Sequence, residues 1–157
     1  NELVQNLFKL YSKKGFCGMK HAKRFTALLA CLLAVVLMCT ACSGKPKDVE
    51  AYLQDETVAQ QLDEQLSAME SSDYSVDVTA EGNTLIYTFA FGQQIDLSDE
   101  TVNSTVVSAL ESGMEQQSSV FEGIVDELQN EVQDAGVKVR IVCNNADGTE
   151  IYSCEFE

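Results

Sequence analysis

The stretch Thr84-Leu85-Ile86-Tyr87-Thr88-Phe89-Ala90-Phe91 returns near the end of the chain as Thr149-Glu150-Ile151-Tyr152-Ser153-Cys154-Glu155-Phe156. Both alternate, which is the period of a strand with one face buried. Tyr87, Phe89 and Phe91 share a face in the first copy, and Tyr152, Cys154 and Phe156 share one in the second. Each copy is the second arm of a hairpin. The first hairpin rises through Val76 and Val78 and turns at Glu81-Gly82-Asn83. The second rises through Val137, Val139, Ile141 and Cys143, with Lys138, Arg140 and Val142 opposite. Its turn is Asp147-Gly148, a strong tight-turn pair.

A helical pattern precedes each hairpin. Asp48 to Gln54 is a short lead-in with Tyr52 and Leu53 as apolar anchors. Asp55 can cap a helix carrying Val58, Leu62, Leu66 and Met69 on one stripe, ended by Ser71-Ser72-Asp73. Ser98 can cap the second, whose stripe runs from Val102 to Val132 through Val106, Leu110, Met114, Phe121, Ile124 and Leu128. Gly136 suits the position after its end. An unbroken helix of that length is about 50 Å, well beyond an eight-residue strand. It must overhang the sheet or break near Gly113. The expected fold is α+β in the order α-β-β-α-β-β. Two helical segments form a layer on one face of a four-stranded, mostly antiparallel sheet.

The chain before this domain reads as an export signal. Lys20, Lys23 and Arg24 lead into an apolar run from Phe25 to Met38, and Thr40-Ala41 precede Cys42. Small residues before a cysteine after an apolar run resemble the bacterial lipoprotein signal, which implies a lipoprotein signal peptide at 19–41, a lipid on Cys42 and an anchored linker at 42–47, ahead of a single domain at 48–157. The competing reading is an uncleaved span, for which the run is short of the usual ~20 residues. Residues 1–18 lie before Met19 and read as an over-extended reading frame or as an amphipathic leader built on Leu3, Leu7, Phe8, Leu10 and Tyr11.

Charge narrows the function classes. The whole chain carries a formal −15, but six of its ten basic residues and one acid precede Cys42. From Cys42 onward 24 acids face four bases, Lys45, Lys47, Lys138 and Arg140. Nucleic acid is excluded as a partner, because it needs clustered cations. The single histidine, His21, lies in the signal, which removes histidine-based catalysis and most zinc sites from the domain. Neither a metal site nor a cofactor is expected, and no nucleophile–base pair marks an enzyme. Asn144, Asn145, Asp147 and Glu150 lack the alternating acids of a calcium loop, and a hairpin turn accounts for the Asp-Gly. The aromatic row reads as core rather than as a stacking platform.

Lys138 and Arg140 are the candidate binding residues, on the sheet face away from the helices. They would pair across strands with Asp77 or Glu155, or receive an extended peptide or an anionic wall polymer. Cys143 and Cys154 are the only cysteines after Cys42. A turn at Asp147-Gly148 sets Ile141 opposite Cys154 and Cys143 opposite Tyr152, which makes the thiols diagonal neighbours. Their Cα atoms would then be about 7–8 Å apart, too far for a disulfide, whereas a turn shifted by one residue on each side would set them opposite and permit a bridge.

The helix-hairpin order, the Gly82-to-Phe89 hairpin "GNTLIYTF", the Ser/Glu/Gln-rich long helix and the closing "DGTEIYSCEF" resemble a family of small lipoproteins of Gram-positive bacteria. That family carries a domain of unknown function, and the resemblance spans residues 48–157. It implies an extracytoplasmic setting and no catalytic residues. The topology is also similar to that of small inhibitor and peptidase-regulating domains outside bacterial cells. The function expected is a lipid-anchored extracytoplasmic binding domain, tethered to the membrane through Cys42, with a cell-surface protein, peptide or wall polymer as partner. The alternative is a protease inhibitor or regulator at the cell surface.

Overall fold

A computed structural model describes residues 44–69 and 73–157. The readings of residues 1–18, of the signal at 19–41, of Cys42 and of the helix end at Ser71-Ser72 lie outside those residues. The elements in chain order are α1 (Val49–Leu53), α2 (Glu56–Met69), β1 (Tyr74–Glu81), β2 (Thr84–Phe91), α3 (Glu100–Glu131), β3 (Lys138–Asn144) and β4 (Glu150–Phe156). The fold is α+β, and its four strands form one sheet in the order β1-β2-β3-β4.

Two features of the expected fold are corrected. The lead-in before α2 is itself a helix: Asp48 caps α1 by accepting the Ala51 amide at 2.8 Å, and Val49 and Tyr52 are buried. The order is therefore α-α-β-β-α-β-β. The sheet is mixed rather than mostly antiparallel. β1–β2 and β3–β4 are antiparallel hairpins, but the central pair β2–β3 is parallel, with Thr84 opposite Lys138 and Ala90 opposite Asn144.

The cause is α3. It runs unbroken through Gly113 for 32 residues, about 48 Å against roughly 27 Å for an eight-residue strand. A single helix after β2 carries the chain back to the end where β2 began, and a strand starting there runs parallel to β2. A break at Gly113 would have folded the helix on itself and delivered β3 antiparallel. As a result β4 runs opposite to β2. The two matched segments share an inward face, set by alternation alone, but not a direction.

The ends of α3 also differ from expectation. Its cap is Asp99, whose carboxylate accepts the amides of Thr101 at 2.8 Å and Val102 at 3.3 Å. Ser98 instead donates to Asp96 through its hydroxyl at 2.6 Å. At the far end the helix stops at Glu131. Gly136, with φ +81°, lies in the following loop. Gln129 organises that loop, accepting the amides of Gly136 and Val137 and donating to the Asp134 carbonyl at 2.9 Å.

The core joins α1, α2 and α3 to one face of the sheet. Phe121, Ile124 and Leu128 of α3 pack with Val139 and Ile141, and Val49 and Val58 close the other side over Val78 and Leu85. α3 lies on β3 and β4, and α1 on β1 and β2. Phe121 stacks on Phe156 at 4.8 Å between ring centroids and meets Tyr87 at 6.4 Å in a tilted arrangement, both within the range favoured by aromatic pairs. The overhang is the start of α3, where Val102 is exposed and burial begins at Val106.

Candidate functional site

Lys138 and Arg140 stand on β3 with their side chains on the face opposite the core, between buried Val137, Val139 and Ile141. Register decides their neighbours. Arg140 lies opposite Ile86 on β2 and Glu155 on β4. Asp77 lies opposite Thr88 on the edge strand β1, two strands from β3 and so about 10 Å away. The partner actually engaged by Lys138 is Glu155, at 2.7 Å, together with Glu157. Arg140 has a looser pair with Glu150 at 3.9 Å.

These bonds leave little free positive charge. The hydrogen bond to Glu155, then that to Glu157, holds the Lys138 ammonium well above its ordinary pKa. The Glu157 carboxyl is correspondingly held below the usual range by Lys138. Two bases are thus matched by three carboxylates. A polyanion docking here would have to displace Glu155, Glu157 and Glu150, and the net acidity of the domain opposes it. An extended chain meeting backbone groups faces no such competition.

The sheet's two edges are unequal. β1 pairs with β2 through eight residues without interruption, Tyr74 to Phe91 down to Glu81 to Thr84. Its outer residues are Ser75, Asp77, Thr79 and Glu81, all exposed. β4 is irregular: its register shifts at Cys143/Asn144, and Glu150 and Glu155 are exposed along it. Bulges and charges of that kind blunt an edge against further pairing.

The β3–β4 turn explains the irregularity. Asn145 donates its amide to the Thr149 carbonyl at 2.8 Å, and Gly148 adopts φ +85°. The loop is thus three residues, one longer than the expected two-residue turn. The shift next to it restores Cys143 opposite Tyr152 and Ile141 opposite Cys154, the expected pairs. Both thiols are free, Cys143 buried and Cys154 half-buried. Burial, with a smaller effect of neighbouring Cys154, pushes the Cys143 thiol up to about 12. A protonated, enclosed sulfur is a poor nucleophile.

Sequence reasoning missed what Asn145 does. Its side chain is bound to the backbone of Ile95, in the segment between β2 and α3. Beside it Gln94 donates to the Asp147 carboxylate at 2.9 Å and accepts the Asp147 amide at 3.0 Å. The Asp147 carboxyl is held below its ordinary range, chiefly by the Thr149 amide. Asn145 and Asp147, two of the four polar residues of that turn, therefore join two loops at one end of the sheet. Among the described residues no group of three or more His, Cys, Asp or Glu is placed to hold a metal ion. Nothing local in the sequence signals the pairing of Asn145 with Ile95, because fifty positions separate them.

Of the aromatic row, Tyr87 lies in the buried core, and Phe89, Tyr152 and Phe156 are partly buried against it. Tyr87 is 3% exposed, and burial pushes its phenol well above the ordinary tyrosine pKa. No helix among the described residues is long and apolar enough to cross a membrane. The chain matches none of the curated proteins and none of the solved structures compared with it. One family does match, over residues 49–156, from the first residue of α1 to the last of β4. The chain belongs to that family, described as a domain of unknown function, DUF4854.

Proposed function

We propose that this is a lipid-anchored, extracytoplasmic interaction domain of a small Gram-positive lipoprotein, and that it holds an extended polypeptide segment along β1. In this reading the signal at 19–41 is removed, Cys42 carries the lipid and the helices form one layer that leaves the other sheet face to solvent. The observation that carries it is the edge strand β1, eight residues long and in unbroken register. An edge of this kind offers backbone donors and acceptors to an added strand. Asp77 and Glu81 on its outer side favour a segment with basic residues at alternate positions.

The second reading is a protease inhibitor or regulator. It requires a loop that projects into a cleft. The two loops at the α3 start are tied to each other through Asn145 and Gln94 instead, which favours the interaction reading.

The test uses the Cys42→Ser form as bait in cell-envelope extract. Asp77→Lys with Thr79→Lys places two lysines on the β1 edge, a recognised block to strand addition. Lys138→Ala with Arg140→Ala removes the basic pair. Loss of capture with the β1 lysines, at an unchanged melting temperature, supports the proposal. Loss only with the β3 alanines would transfer the site to Lys138 and Arg140. Capture and slowing of a peptidase would favour the inhibitor.

A further inference from the structure

The linker ahead of α1 is fastened to the body. Gln133 donates its backbone amide to the Pro46 carbonyl at 3.0 Å, and Asp134 donates to the Lys47 carbonyl at 2.8 Å. The Gln133 side chain donates to the Lys45 carbonyl at 2.5 Å. The loop that donates these bonds is itself held, through Gln129 and through Asn83, whose side-chain amide donates to the Ala135 carbonyl at 3.1 Å. Glu50 at the start of α1 binds the same turn, its amide donating to the Gly82 carbonyl at 2.9 Å. Linker, α3 terminus, the Gly82-Asn83 turn and α1 therefore form one rigid end of the domain.

Only Ser43 and Gly44 separate Cys42 from the fastened Lys45. Three residue steps reach at most about 11 Å. The opposite end, with Ala146, Asp147 and Ile95, begins where β3 finishes, about 20 Å further along the strand direction. We infer that the end built from Lys45–Lys47, Gln133–Val137 and the Gly82-Asn83 turn faces the bilayer, and that the end holding Ile95, Ala146 and the start of α3 points away from it.

This rests on the anchoring of Cys42 proposed above. Lys45 and Lys47, both exposed, are the bases nearest the anchor and are drawn to anionic headgroups. Glu131, Asp134 and Glu81 share that end, so the tether rather than net attraction holds it there. The flanks carry the remaining excess of acids, which opposes the domain lying flat on an anionic surface. β1 then runs along the membrane normal, with its edge accessible to a segment approaching from the side.

The sequence contains no tryptophan, so single reporters can be placed cleanly. Ala135→Trp marks the near end and Ala146→Trp the far end, both at exposed positions. The lipidated protein is reconstituted into phosphatidylcholine–phosphatidylglycerol vesicles containing dansyl-phosphatidylethanolamine, and energy transfer from tryptophan is measured. Transfer from position 135 should exceed that from position 146 several-fold. Inserting about ten Gly-Ser residues between Ser43 and Gly44, a flexible coil, should bring the two values together. Equal transfer in the unextended protein, or more from position 146, would overturn the orientation while leaving the anchor intact. Failure of the protein to sediment with vesicles would overturn the anchor, and the orientation with it.

Discussion

Asn145 pairs with Ile95 as one backbone pairs with another: its Nδ2 donates to the Ile95 carbonyl at 2.8 Å, and the Ile95 amide donates to its Oδ1 at 2.8 Å. Asn145 is 2% exposed, the one buried polar residue among the described residues. Replacement with alanine strands both Ile95 groups in a partly buried site, each costing about 1–3 kcal/mol when unmet. Asn145→Ala should destabilise the domain by about 2–4 kcal/mol in urea unfolding. Asn145→Asp keeps the acceptor but loses the donor and buries a charge, so it should be no better than alanine. A loss below about 0.5 kcal/mol for either would show that the two loops are not joined through this side chain.

Phe121 is the hinge of the helix–sheet contact, fully buried between Tyr87 and Phe156. Phe121→Ala removes both ring contacts and opens a cavity under the middle of α3. The expected cost is about 3–5 kcal/mol, as for other buried phenylalanines. Phe121→Leu should recover more than half of it. Equal losses for the two variants would mean that the site depends on stacking geometry rather than on filled volume.

Alternation in Val76–Thr79, Leu85–Phe91 and Val137–Cys143 was enough to assign strands and their inward faces, because period two survives any strand order. The pairs Ile141–Cys154 and Cys143–Tyr152 were also legible, although they arise from a three-residue loop and a compensating shift. Strand direction was not legible from the hairpins. It depends on whether α3 continues through Gly113, which a weak helix former leaves open. A cue was nonetheless present: β2 and β3 read as near-continuous apolar runs, Leu85-Ile86-Tyr87 and Ile141-Val142-Cys143, as central parallel strands do. The candidate site was legible only as positions. Lys138 and Arg140 face outward as expected, but their neutralisation by Glu155, Glu157 and Glu150 depends on where β4 ends and shifts.

Cys143 makes stability depend on alkaline pH. The folded thiol titrates near 12 because it is buried, whereas an unfolded thiol titrates at about 8.5. The unfolded chain therefore loses its proton first. The contribution is complete below about pH 8.5 and is lost as pH rises toward 12. The unfolding free energy from urea titration should fall by roughly 1–2 kcal/mol between about pH 8 and pH 10. Cys143→Ala will lower the baseline, but its pH slope in that window should be clearly flatter. An unchanged slope would place the alkaline loss elsewhere. Thiol reagents at neutral pH should modify half-buried Cys154 faster than Cys143.

The glycines of α3 test the element that sets the sheet's topology. Gly113 and Gly123 are both helical, and a Cβ built at either meets nothing within 4 Å. In a continuous helix each glycine is about 0.8–1.0 kcal/mol worse than alanine, through backbone entropy. Gly113→Ala and Gly123→Ala should therefore each stabilise the domain by somewhat under 1 kcal/mol, and together by about 1.5–2 kcal/mol, since ten positions separate them and they share no partner. A helix broken at Gly113 would place that residue in a turn, where alanine brings no gain or a loss. The double variant thus reads the connection directly. Additive stabilisation means one helix returning over the sheet and a parallel β2–β3 pair. A gain at Gly123 with a loss at Gly113 means a bent helix, and with it the antiparallel centre that the hairpin pattern alone would suggest.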